Sequence, residues 1–233
     1  MAADNLKGPP QSQAGDWVHT IVKAGISAIP IVGGSAAELF AALIAPPLAK
    51  RRDEWLKSIA EGLKDLEDRI QGFTIESLVG NEIFVTSVLH ASQAAVRNHQ
   101  KEKLEALRNA ILNVASDRGP DEDLQLMFMT FIDTLTPWHL RILRFFQAPE
   151  GYVQNAQIPG GRDPFEVTLD VLGQIFPELS GQRRFAYQII KDLSSRSLMY
   201  TDPLLEFQTG WRLTKRTTDM GDQFIAFISS PLQ

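Results

Sequence analysis

The chain has 233 residues, 44% of them hydrophobic and 22% charged, which fits one large or two small folded domains and argues against a disordered chain. It contains no cysteine, so disulfides, thiolate metal sites and thiol catalysis are excluded, and the composition suits a reducing cytoplasm. A formal net charge of -5 gives no broad attraction to nucleic acid or anionic lipid, so any polyanion site has to be a local patch.

Residues 1–15 lack the basic and continuous apolar regions of a secretion signal, and they read as a flexible tail. Residues 16–125 then read as a helical domain. A first helix is predicted over 16–29, with Asp16 at its start and Trp17, Ile21 and Ala28 on an apolar side. The run 24–49 is the most unusual part of the chain: it is apolar for 26 residues apart from Glu38, and Lys50, Arg51 and Arg52 follow at once. Pro30, Gly33, Gly34, Pro46 and Pro47 divide it. Only residues 35–45 are unbroken, too few to cross a bilayer as one helix. Ser35 is expected to cap a second helix, Glu38 to complete a capping box, and the two prolines to end or bend it.

This segment carries the sharper functional expectation. Ile29, Ile31, Val32, Leu39, Phe40, Leu43, Ile44 and Leu48 supply apolar area, and the basic flank Lys50, Arg51 and Arg52 suits a phosphate surface. Two readings stand side by side. The hairpin is buried in the resting fold, or it meets a membrane or partner when the protein is activated. In either reading it needs a dry neighbour.

From residue 48 to 70 an amphipathic helix is expected, with Trp55, Leu56, Ile59, Leu63, Leu66 and Ile70 on its core face. A further helical stretch begins at Asn81 and carries Phe84, Val88, Ala91 and Ala95, then Leu104, Leu107 and Ile111. The break Asp117-Arg118-Gly119-Pro120 precedes a helix that Asp121 or Asp123 introduces.

Residues 126–233 are expected to form a second domain. Thr136 and Pro137 start a helix, Asp163-Pro164 a short one, and Ser180 one that runs to about residue 197. Residues 198–200 and 211–214 read as two short strands, and Thr217 or Thr218 caps a closing helix. This order resembles a winged helix-turn-helix module, so the fold class expected is mainly α with a carboxy-terminal α/β winged module. In DNA-binding members of that class, donors on the recognition helix enter the major groove and the wing touches phosphate. The resemblance implicates Arg183, Arg184, Gln188 and Lys191 on the helix, and Arg212, Lys215 and Arg216 on the wing, as a nucleic-acid or partner face.

No constellation points to catalysis or to a cofactor. The four histidines, His19, His90, His99 and His139, form no ligand pair of metal-site spacing, and no metal is implied. Gly33-Gly34-Ser35 lacks the lysine and spacing of a phosphate-binding loop. Acidic runs such as Asp121-Glu122-Asp123 suit a helix start rather than paired carboxylate chemistry.

The Gly/Pro-interrupted apolar segment before a charged amphipathic helix (residues 29–66) is followed by Leu107-Arg108-Asn109-Ala110, Phe128 and the run Leu135-Thr136-Pro137-Trp138-His139-Leu140-Arg141-Ile142-Leu143. Over residues 29–146 this arrangement resembles the bacterial abortive-infection alpha proteins, and the resemblance implies a link to phage defence. The functional expectation is a non-enzymatic bacterial defence or regulatory protein. It acts through a protein partner or a homo-oligomer, with a triggered membrane contact, and is cytoplasmic or peripheral at the inner membrane. The alternatives are a DNA-binding transcriptional regulator and a structural adaptor.

Overall fold

The computed structural model describes residues 35–152, 164–200 and 214–232. The helix expected over 16–29 and the residues Ile29, Ile31, Val32 and Arg212 lie outside them. Among the described residues there are eight α-helices: α1 (Ser35–Arg69), α2 (Glu82–Arg97), α3 (Lys101–Ala115), α4 (Glu122–Thr134), α5 (Pro137–Gln147), α6 (Pro164–Ile175), α7 (Arg183–Ser195) and α8 (Asp219–Phe227). Single 3-10 turns sit at Ile75–Leu78, Pro149–Gly151 and Pro177–Leu179.

Short polar side chains cap helices where they precede apolar runs, and the caps expected at Asp121 and Thr218 are among them. Asn81 accepts from Phe84 N at 3.0 Å, Asp121 from Leu124 N at 3.1 Å and Thr218 from Gly221 N at 3.0 Å. Thr136 starts α5 with Pro137 in its first turn. Ser180 does not cap α7. It closes the preceding 3-10 turn, Gly181 follows at φ +79°, and the helix starts at Arg183.

Pro46 and Pro47 do not end a helix either; both lie inside α1. Each removes one amide donor, leaving the carbonyls of residues 42 and 43 without their helical partner. Residues 43–47 are exposed, so water can take those carbonyls and the helix runs on. The expected core stripe then takes over: Trp55, Leu56, Ile59, Leu63 and Leu66 are all buried.

Helix α3 is the central element, packed against α1, α2, α4 and α8. From Asn109 to Ala115 every residue is buried. Gly62 lets α1 approach it closely, because a Cβ there would lie 2.8 Å from Leu112 Cδ1. The core is continuous from Trp55 to Ile228. An aromatic seam joins its halves: Phe128 of α4 meets Phe224 of α8 at 5.2 Å between ring centroids and Phe227 at 5.8 Å.

The α/β winged module expected over 126–233 is not seen. Among the described residues there is no strand, only one isolated antiparallel bridge between Met199 and Thr217. The backbone explains why the ladder does not extend. Tyr200 N donates to Arg216 O and Thr218 N to Leu198 O, but Arg216 N turns away to cap α5 at Phe146 O. The amide that continued pairing needs is spent on a helix end instead. The fold is mainly α.

Candidate association arm and neighbouring cleft

Near the start of α1 an exposed stretch, residues 43–47, forms an arm outside the core. Leu43 is 72% exposed and Ile44 40%, while Leu48 is half-buried. Leu39 and Phe40 lie one turn earlier on the same helix. Large apolar side chains scattered singly on a surface need no explanation, but two neighbours on one helix, beside two exposed prolines, form a patch.

The basic flank sits where the arm joins the core. Lys50 makes a loose surface pair with Glu54 at 3.7 Å, and Arg52 donates to Asp53 Oδ1 at 3.1 Å. Arg51 lines a cleft of 390 Å³ between α1, the end of α2 and α3. Trp55 and Leu104 supply its apolar wall, and His99, Glu105 and Arg108 its polar rim. Trp55 is fixed there by its indole N–H, which donates to Ser92 Oγ at 2.9 Å. Arg108 is fixed by donation from Nε to Ser58 O at 2.9 Å. By sequence, Trp55 lies on a stripe that suits the core or a partner seam. Nothing in its spacing marked a cleft formed with residues about fifty positions away.

The second face expected to bind comes apart. Arg184, Gln188 and Lys191 are exposed along α7. Arg183 instead turns back to α6, where it pairs with Glu166 and Asp170. Lys215 pairs with Asp222, and Arg216 is buried. Although burial raises the Asp222 pKa, donation from Lys215, Thr217 and Gln147 holds it below the ordinary carboxylate value. Of the wing cations among the described residues, Lys215 is thus paired with a carboxylate and Arg216 is buried.

A polar junction joins α4, α5 and α7 around His139, whose place in a first helical turn suits a capping role. His139 Nδ1 accepts from Thr136 N at 3.1 Å and sits 2.8 Å from Thr136 Oγ1, while Nε2 lies 3.4 Å from Asp192 Oδ2. The same lone pair that faces the threonine hydroxyl already serves the helix start, so the arrangement is a capping box with histidine in the glutamate position. Burial pushes the His139 pKa below its ordinary value, against the raising effect of Asp192. Nearby, Lys103 is buried and donates to Asp133 O at 2.7 Å, capping the end of α4. Glu102 receives Arg141, whose guanidinium lies 5.0 Å from the Trp138 ring centre. That hydrogen bond holds the Glu102 carboxyl below the usual range.

Among the described residues, no helix is long and apolar enough to cross a membrane, and no group of three or more His, Asp or Glu is placed to hold a metal ion. The chain matches no protein-family model, no curated protein and no solved structure.

Proposed function

We propose that this chain is a non-enzymatic bacterial defence or regulatory protein that works by association, with the α1 arm as its binding element and an anionic membrane surface as what the arm engages when triggered. One observation carries the reading: Leu43 and Ile44 stand exposed on a helix end whose base is Lys50-Arg51-Arg52. The defence context rests on the family resemblance of residues 29–146, and the protein acts in the cytoplasm and at the inner face of the membrane.

The magnitudes fit a reversible contact. Fully burying a leucine or isoleucine contributes about 1.5–3 kcal/mol, and each basic residue near an anionic surface about 1 kcal/mol. Leu43 and Ile44, scaled by their present exposure, add roughly 2–3 kcal/mol, and the three basic residues a similar amount. The sum is a peripheral attachment rather than an anchor. Residues 35–50 extend about 24 Å as a helix, short of the roughly 30 Å hydrocarbon core.

Flotation of the full-length chain with vesicles of anionic phospholipid tests this. The chain, or a variant that frees the arm, is expected to float, and Leu43→Asp with Ile44→Asp to remain in solution. If no form of the protein floats with anionic vesicles, the membrane reading fails.

A further inference from the structure

Arg51 stands apart from its neighbours in the basic flank. Lys50 reaches Glu54 and Arg52 reaches Asp53, but Arg51 is half-buried with no hydrogen bond or ion pair among the described residues. We infer that the 390 Å³ cleft it lines binds a small organic anion, with the anionic head on Arg51 and an apolar body against Trp55 and Leu104. This goes beyond the membrane reading and does not rest on it, since neither Leu43 nor Ile44 lines the cleft.

Helical spacing builds the cleft. Arg51, Trp55 and Ser58 follow one another at four and three positions, so one face of α1 carries all three. Leu104 and Arg108, four apart, share a face of α3 in the same way. Helix α2 ends at Arg97 and α3 begins at Lys101. The connection between them is fixed by Asn98, which is extended and donates from its side chain to Ala94 O at 2.8 Å. The cleft lies beside that connection.

Depth sorts the charges around it. The two guanidinium groups, Arg51 and Arg108, are half-buried, whereas Glu54, Glu105 and His99 are exposed. Charges held away from water are screened less, so the two cations dominate the field inside the cleft. Glu54 already faces Lys50, and Arg108 is held by Ser58 O with Asp65 no nearer than 3.9 Å. An anionic head therefore meets one unpaired guanidinium and a second with N–H groups to spare. A cationic ligand in the same place sets its charge beside both arginines.

Volume and lining set the rest of the ligand. A cleft of 390 Å³ is near the small end of the range for small-molecule sites, about 300–1,000 Å³. Trp55, Ala95 and Leu104 give it an apolar floor, and the hydrogen bond from Trp55 to Ser92 holds that floor in place. The class that fits is a carboxylate, sulfonate or phosphate monoester carried on one ring system or one short chain.

Fluorescence titration of the full-length chain with anilinonaphthalene sulfonate tests this. Saturable binding is expected, and decanoate is expected to displace the probe at least ~10-fold better than decyltrimethylammonium, which carries the same tail with the opposite charge. Arg51→Gln is expected to weaken probe binding at least ~10-fold and Arg51→Lys by less. Because Arg51 has no partner in the fold, neither change is expected to move the unfolding midpoint. Arg52→Gln removes the same charge from a residue outside the cleft, and Leu43→Asp with Ile44→Asp alters the arm; both are expected to keep the parent affinity. No saturable binding by the parent chain, equal displacement by the two amphiphiles, or an equal loss in Arg52→Gln overturns the inference. So does loss of binding in the Leu43 and Ile44 variant, which assigns the probe to the arm.

Discussion

Asn113 of α3 donates through Nδ2 to the carbonyl of Phe227 at 2.9 Å, tying the central helix to the last helix across 114 positions of sequence. The same amide reaches Ser229 O at 2.8 Å, and its neighbour Asn109 takes Ile228 O at 3.1 Å. Carbonyls at the end of α8 have no partner within their own helix, and here they face a buried surface. Two asparagines on the core helix act as its cap.

Asn113→Ala is therefore expected to destabilise the protein by about 1–3 kcal/mol, because buried carbonyls lose their donor. Asn113→Asp should be worse, since a carboxylate then faces the same oxygens. Urea unfolding of both variants checks the order. An aspartate variant as stable as the parent would remove the capping role.

The aromatic seam gives a second expectation. Phe128 is fully buried against Phe224 and Phe227, so Phe128→Ala should lower stability by about 3–5 kcal/mol. Thermal unfolding should show α4 and α8 weakening together, read as loss of hydrogen-exchange protection in both.

Gly221→Ala should be nearly as damaging for a different reason. A Cβ there would lie 2.0 Å from the backbone carbonyl oxygen of Leu198, which has no flexible end to move aside. The expected loss is at the top of the ~1–3 kcal/mol range for overpacking. Denaturant unfolding with circular dichroism measures it.

His139 makes stability depend on pH. Burial holds its folded pKa below the ordinary 6.5, so between the two values the unfolded chain binds more protons than the folded one. The stability it contributes is complete above about pH 6.5, declines as pH falls below that, and is lost once pH passes the folded value. His139→Gln keeps an acceptor for Thr136 N but cannot titrate, so it should flatten the slope between about pH 7 and 5. Urea midpoints across that interval are the readout.

What the sequence revealed and what it hid divide along the range of the interactions. The α1 stripe from Trp55 to Leu66 and the caps at Asp121 and Thr218 depend on neighbours three or four positions away, and they were legible. The Asn113 cap was not, because its partner carbonyls lie more than a hundred residues on. The supposed wing failed for a related reason. Leu198-Met199-Tyr200 is a short apolar run that suits a strand or a turn equally, and the Arg216 amide that decides the matter points at α5. At the arm, composition showed that residues 39–48 seek a dry neighbour. It did not show that Leu43 and Ile44 stand outside the core, since an apolar run reads the same whether it faces inward or outward.

The paired prolines of α1 have a consequence for how far the arm can go. Two adjacent carbonyls are left without amide partners, and in hydrocarbon each such group costs several kcal/mol. If the arm meets a lipid surface as proposed, those two carbonyls must keep their hydration, so Leu43 and Ile44 can enter no deeper than the headgroup boundary. In that setting Pro46 and Pro47 would act as a depth stop, with Lys50, Arg51 and Arg52 just outside.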